Sequence, residues 1–358
     1  MFFRSPQMSK RISVVLLTLG LAFLLGCGSN STHTAYVALP NSNAVGAYRI
    51  KNNSAQFTTI LGSPYPAGNS PASVRVHPSN KFVYAANQSE NDISLFTVDS
   101  SIGSLHEVLP RTPTGLTPVS LLMDSGGNFL FALNAVSGSI SVYSINSGSG
   151  ALTAVAGSPF PTFPNSIAFA ITPSAKFLYV LNANVASVFA YTITSGVLQL
   201  VSSIPVQVGN VPLALTVDPA ETFVYVANSA DNTVSVLSIN SGSGALTLLG
   251  SFPTGTTPSS VAVLGSFLYV ANMGSSNISV FSVAPTTGVL TQITSSPFAA
   301  GVAPLFEVLD PNGLFLYVGS QAARSITAFS ITAGTGALTN TSQVASTPVS
   351  PSSMSVSK

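Results

Sequence analysis

The chain has 358 residues, and only 6% of them are charged, against roughly a quarter in ordinary soluble proteins. The formal net charge is +1. Removing Arg4, Lys10 and Arg11 with the N-terminal leader leaves eight basic residues against ten acidic ones and no basic run, which excludes the electrostatic footprint of a nucleic-acid or anionic-lipid binder. A single cysteine, Cys27, excludes an internal disulfide framework.

At the N-terminus, Lys10 and Arg11 precede an apolar run from Ile12 to Leu25, too short to span a bilayer comfortably as a mature helix. The run ends in Leu24-Leu25-Gly26-Cys27, which resembles the bacterial lipobox, where cleavage before the cysteine leaves its thiol to carry diacylglycerol. Residues 1–26 therefore read as a lipoprotein signal peptide, with Met8 as an alternative start. Residues 27–34 read as the lipidated cysteine and a short polar tether, and residues 35–358 as the folded part. The competing reading is an ordinary secretory leader with an incidental cysteine. In a diderm cell, Gly28 in place of an aspartate directs the anchor to the outer membrane. The expected address is the cell envelope, outer membrane or cell surface, held to the membrane through the lipid.

Beyond the tether an aromatic recurs in one context at Tyr36, Tyr84, Phe131, Tyr179, Tyr225, Tyr269 and Tyr317, at intervals of 48, 47, 48, 46, 44 and 48 residues. In the unit opening at Pro212 four runs have strand character: Leu213–Val217, Thr222–Ala227, Thr233–Ile239 and Ala245–Leu249. Gaps of mostly two to six residues permit antiparallel hairpins and no parallel crossovers. Helical periodicity is absent from the mature chain. Four antiparallel strands repeated seven times predict an all-β, seven-bladed propeller. The absence of tryptophan excludes a typical WD repeat.

The first unit lacks its opening stretch, and the far end supplies one, Pro351-Ser-Ser-Met-Ser-Val356, with nothing after it. That strand is expected to complete the blade made by Tyr36–Val37, Val45–Ile50 and Phe57–Ile60, closing the ring without an exposed edge. Gly68, Gly115, Gly209, Gly255 and Gly301 each stand three residues before an opening proline, which predicts a positive φ or a close backbone approach there. Asp124, Asp218 and Asp310 occupy one column at the other end of the inner strand, where tight turns are expected.

The repeat "Pro … Phe-x-Tyr-Val-x-Asn … Ile/Val-Ser-Val-Phe/Tyr … Gly-x-Leu-Thr" resembles that of the lactonase-type seven-bladed propellers, which include 6-phosphogluconolactonase-like and muconate-cyclising enzymes, and the related YVTN surface-protein repeats. Its best copies are Phe223–Asn228 with Ser235–Val236 and Gly244–Thr247, and Phe267–Asn272 with Ile278–Phe281 and Gly288–Thr291. The resemblance covers residues 35–358. It implies the architecture, while chemistry does not travel with a widely shared fold. Family members tend to place His, Arg and acidic residues around the pore mouth, often a His just after the opening proline. Here the openings read Pro71-Ala-Ser, Pro118-Val-Ser, Pro212-Leu-Ala, Pro258-Ser-Ser, Pro304-Leu-Phe and Pro351-Ser-Ser, so no family catalytic residue carries over.

Lactone chemistry needs a base or metal to activate water and a donor to hold the oxyanion. The histidines fit this poorly: His33 falls in the tether, His106 on an outermost strand, and His77 in the turn column of Asp124, Asp218 and Asp310. No cluster has metal-ligand spacing, and no cofactor motif is visible. The polar loops Asn87–Asp92, Asn228 with Asp231-Asn232, and Gln321 with Arg324 read as turn chemistry, with calcium as the alternative. Two residues break the inner-strand pattern. Glu307 stands where other units carry Val74, Leu121, Leu215, Val261 and Met354, and Arg75 stands one step further, beside Leu122, Thr216 and Ala262. Each is expected to face the channel, pair, or shift its pKa. The expected function is a lipid-anchored binding or scaffold module presenting its pore face to a protein, glycan, peptide or small-molecule ligand; the alternative is a lactone hydrolase.

Overall fold

The computed structural model describes residues 32–358. Within them the strands form seven antiparallel sheets, with one short 3₁₀ turn at Pro40–Ser42. In blade 5 the inner, second, third and outer strands are Pro212–Val217, Phe223–Asn228, Thr233–Ile239 and Leu246–Pro253, hydrogen-bonded in that order. The outer strand passes a bulge opposite Val236 and Leu237, so it runs beyond the expected Leu249. Blades 1, 3, 4 and 6 have shorter outer strands, and a two-residue strand such as Tyr65–Pro66 covers the rest of the third strand.

The ring closes as the split repeat predicts. Ser353–Val356 is the inner strand of blade 1, paired with Thr32–Leu39 from Ala35↔Val356 to Ala38↔Ser353. The pairing extends past the strand end, since the Thr34 amide donates to Ser357 Oγ at 2.7 Å and the Ser357 amide to the Thr34 carbonyl at 2.8 Å. Residues 32–34 therefore belong to the blade and not to a tether. His33 is buried there, its Nε2 2.9 Å from Asn312 Nδ2 in blade 7.

The core lies between blades, as seven clusters with one per interface. The recurring aromatic is at most 1% exposed in every blade. Tyrosine serves there because its hydroxyl can reach across the interface: Tyr36, Tyr84 and Tyr179 donate to the carbonyls of Gly103, Gly150 and Gly244 at 2.9, 2.7 and 3.1 Å. These glycines have positive φ and also make room. A Cβ on Gly150 would lie 2.6 Å from the Phe82 ring of the preceding blade. The "Phe-x-Tyr" and "Gly-x-Leu-Thr" parts of the repeat are thus two halves of one inter-blade contact.

The Asn of the repeat is buried at the end of the second strand and donates to the Ser of the "Ser-Val" pair. Asn87, Asn134, Asn228 and Asn272 reach Ser94, Ser141, Ser235 and Ser279 at 2.9, 3.0, 2.8 and 2.9 Å. Against each buried Asn lies the glycine three residues before the proline; a Cβ on Gly115 would sit 2.6 Å from Asn134 Nδ2. Close approach is therefore what four of these glycines provide, and only Gly301 has a positive φ. The left-handed position is instead the residue immediately before the inner strand: Ser70, Thr117, Asn165, Val211, Thr257 and Ala303 have φ from 48° to 64°. For β-branched Thr and Val this is a strained conformation, held by the bulge that opens each inner strand.

Candidate functional site

The inner strands start at one end of the propeller, and there they enclose a cavity of about 290 Å³ on its axis. Alternation along the strand assigns the side chains. The fourth residue of each inner strand, counting the opening position as the first, turns into the inter-blade core, and Val74, Leu121, Phe169, Leu215, Val261 and Met354 each belong to a separate cluster. The second and third residues of every inner strand line the cavity, whereas at the fifth position only Arg75 and Val308 reach it, and Leu122, Ala170 and Ala262 pack into the core. Hydroxyls at the third position staple neighbouring blades, as Ser353, Ser73 and Ser260 Oγ accept from the amides of Val74, Leu121 and Glu307 at 3.3, 3.1 and 3.0 Å.

Both charged candidates border this cavity, but in different states. Arg75 is half-buried. Its Nε donates to the Leu121 carbonyl of the next blade at 2.7 Å, which orients the guanidinium, while its two terminal nitrogens have no hydrogen bond among the described residues. Burial lowers its pKa from the ordinary arginine value, which is high enough that the group stays charged.

Glu307 occupies the core-facing column, at the interface of blades 6 and 7. The residue as a whole is only half-buried, yet both carboxyl oxygens are withdrawn from solvent and have no hydrogen-bond partner. Desolvation raises its pKa well above the usual glutamate value; the nearby Ala271 backbone, which falls short of hydrogen-bond geometry, opposes that rise. No ion pair joins it to Arg75. The two ion pairs among the described residues both involve Arg111, with Glu90 and Glu107, at 2.7 Å each, on blade 2.

The other candidates resolve into structure. His77 is buried, its Nδ1 2.7 Å from Ser79 Oγ and its Nε2 2.9 Å from the Gly127 carbonyl. Asp124, Asp218 and Asp310 accept from the amides of Phe129, Phe223 and Phe315 at 2.6, 2.7 and 2.6 Å, closing the turn into the second strand. His106 lies on the outer strand Leu105–Pro113 as expected. In the polar loops, Asn87 Nδ2 bonds Asp92 at 2.7 Å and Asp231 accepts from Asn210 at 2.7 and 2.9 Å. Cys27 lies outside the described residues.

Two features escaped the sequence reading. The inner strand of blade 4, Ser166–Ile171, opens on Ser166 where the others have proline; counting 13 residues back from Tyr179, the spacing of Pro71 from Tyr84 and of Pro212 from Tyr225, finds it. Phe306 replaces the Ser or Ala of the third position, and its ring lies over Gly319, the one glycine in its cross-strand column. A second depression of about 300 Å³ lies at the opposite end, between blades 1 and 2, lined by Arg49, Lys81, Asp99 and Lys358. Its Arg49 is already bonded to the carbonyls of Ser101 and Ile102 at 3.2 Å each, so the channel is the better site.

The sequence matches the family model "Lactonase, 7-bladed beta-propeller" over residues 27–169, 163–263 and 252–355. Among solved structures, the chain is similar to a putative 6-phosphogluconolactonase from Bacteroides uniformis (19% identity, TM-score 0.79, covering 91% of this chain and 99% of that one). It is similar also to one from Bacteroides fragilis (21%, 0.78, 92% and 99%) and to the periplasmic gluconolactonase of Pseudomonas aeruginosa (18%, 0.74, 92% and 99%). At these identities the likeness speaks for the fold. No curated protein sequence matches the chain.

Proposed function

We propose, from the premise that the chain belongs to the seven-bladed β-propeller lactonase family, that its central channel binds and hydrolyses a small lactone. The observation that carries this reading is Arg75, whose guanidinium is oriented by Leu121 in a hydroxyl-lined cavity and whose terminal nitrogens have no hydrogen bond among the described residues. A guanidinium so held can receive a carbonyl oxygen, the oxyanion formed from it, and the carboxylate of the product. Water attacks the carbonyl carbon, the ring C–O bond breaks, and the attacking water's proton ends on the released alkoxide. Among the described residues Glu307 is the only carboxyl bordering the cavity, and its raised pKa suits a group that takes and returns a proton. To do so it must turn from the wall into the channel and be ionised, so the rate should rise with pH through its raised pKa.

A second reading, a binding module without chemistry, is favoured by one observation: both Glu307 oxygens are withdrawn from solvent and bonded to nothing. Hydrolysis of δ-gluconolactone above the uncatalysed rate, measured for wild type, Arg75→Ala and Glu307→Gln, separates the two. The hydrolase reading expects each variant to lose about two orders of magnitude in turnover. The binding reading expects no turnover to lose and a weaker ligand affinity in Arg75→Ala. The address remains the cell envelope through lipid on Cys27, with the motif Leu24-Leu25-Gly26-Cys27 as its support.

A further inference from the structure

The channel mouth is not uniform around the ring. At the second inner-strand position, blades 3, 4 and 5 present Val119, Ile167 and Leu213, whereas blades 6, 1 and 2 present Ser259, Ser352 and Ala72. The third position repeats the contrast on blades 4 and 5, with Ala168 and Ala214 against Ser260, Ser353 and Ser73 on blades 6, 1 and 2, while blade 3 carries Ser120. Blade 7 interrupts the polar sector with Leu305 and Phe306 and with the exposed loop residue Val302, and Arg75 stands at the sector's far end on blade 2.

The apolar sector continues out of the cavity. The opening residues Pro118, Ser166 and Pro212 pair with Asn134, Asn182 and Asn228, so the loops on both sides of these pairs stand at the mouth. Their tips are Leu116 and Val136 on blade 3, Phe163 and Val185 on blade 4, and Val211 on blade 5, between 43% and 57% exposed. Backbone hydrogen bonds tie them into one arc: Val136 to Leu116 at 3.3 Å, Asn165 to Ala135 at 2.8 Å, and Val208 to Ala186 at 2.9 Å. No charged residue occurs in the loops 114–119, 134–139, 160–167, 182–187 or 206–213; at the blade 5 end of the arc Asp231 is bonded to Asn210. Single exposed aliphatic side chains need no explanation, but an arc of five that is continuous with a cavity wall has the form of a ligand-binding surface.

We infer that the substrate is amphiphilic: a lactone carrying a saturated hydrocarbon chain, its ring against the serine and Arg75 sector and its chain over blades 3 to 5. This rests on the lactonase reading for the ring and on the apolar arc for the chain.

The test is calorimetric binding and hydrolysis by the intact protein across γ-butyrolactone, γ-hexalactone, γ-octalactone and γ-decalactone, with 2-alkylcyclopentanones of matching chain length as unreactive probes. Full burial of a methylene is worth about fourfold in affinity; a half-exposed arc should give about twofold for each, so Kd should fall by an order of magnitude over four methylenes. The double variant Leu116→Asn/Val185→Asn, altered only at exposed tips, should flatten that slope while leaving δ-gluconolactone handling unchanged. Wild-type affinity that is independent of chain length overturns the inference, as does a slope that the double variant keeps. Chain-dependent ketone binding without turnover would retain the inference and remove the hydrolase reading. Turnover of δ-gluconolactone with no chain dependence would do the reverse.

Discussion

Replacing Glu307 by valine, the residue found in the same column at Val74 and Val261, should make the protein more stable at neutral pH. A buried carboxyl with neither oxygen bonded forfeits about 1–3 kcal/mol relative to a partnered one, and valine adds apolar burial in its place. A gain of about 2 kcal/mol over some 330 residues, at about 2.1 cal/mol/K of unfolding entropy per residue, raises Tm by about 3 °C. The pH dependence is the sharper signature. The folded-state pKa lies above the unfolded one, so between the two the native state holds a proton that the unfolded state has released. Wild type then loses stability as pH rises through that window, by at most about 1.4 kcal/mol per unit, and the loss levels off above the folded pKa. The advantage of Glu307→Val should therefore be smallest near pH 4 and grow towards neutrality. Thermal unfolding of both proteins from pH 4 to 8 measures it. A variant less stable than wild type, or one whose advantage does not change with pH, would show that Glu307 is partnered and that its burial is misread.

Deleting residues 350–358 removes the ladder from Ala35↔Val356 to Ala38↔Ser353 and exposes a blade edge, so the truncated protein should aggregate or melt well below full length in a thermal scan. Deleting 28–31 should leave Tm unchanged, whereas extending the deletion through Thr34 should lower it, because Thr34 is bonded to Ser357. Gly115→Ala forces a Cβ against Asn134 and Ser137 and should cost about 1–3 kcal/mol by denaturant titration. Cys27→Ser should move the protein from the membrane to the soluble fraction and abolish lipid labelling; unchanged fractionation would remove the anchor.

The fold was legible because each blade repeats the same physical necessity. An aromatic that must fill the inter-blade gap, an Asn that must cap a buried strand end, and a glycine that must make room for it recur at fixed spacing. The closing strand was legible for the same reason, as a fragment of the repeat without its blade. The start of the first blade was misjudged because Thr32-His33-Thr34 is polar in composition, and only pairing with Ser357 and Asn312 makes it a strand. At the site, the sequence picked out Arg75 and Glu307 as departures from pattern, but not their difference. Both border the cavity from adjacent columns, and what separates them is the surroundings that neighbouring blades supply: Arg75 is held by the Leu121 carbonyl, while both Glu307 oxygens are buried without a bond, which no local residue pattern announces. The apolar arc was invisible because its members come from separate loops of three blades and are adjacent only in the folded ring.

The claim on which the rest depends is that the channel, through Arg75, is where the ligand sits. A crystal structure of the protein with gluconate, the hydroxy acid that δ-gluconolactone hydrolysis yields, tests it most directly. The carboxylate should lie on the terminal nitrogens of Arg75, with the hydroxyls among Ser73, Ser260 and Ser353, and should be missing from crystals of Arg75→Ala. Gluconate bound instead between blades 1 and 2 at Arg49 and Lys81, or bound equally well in the channel of Arg75→Ala, would contradict the account.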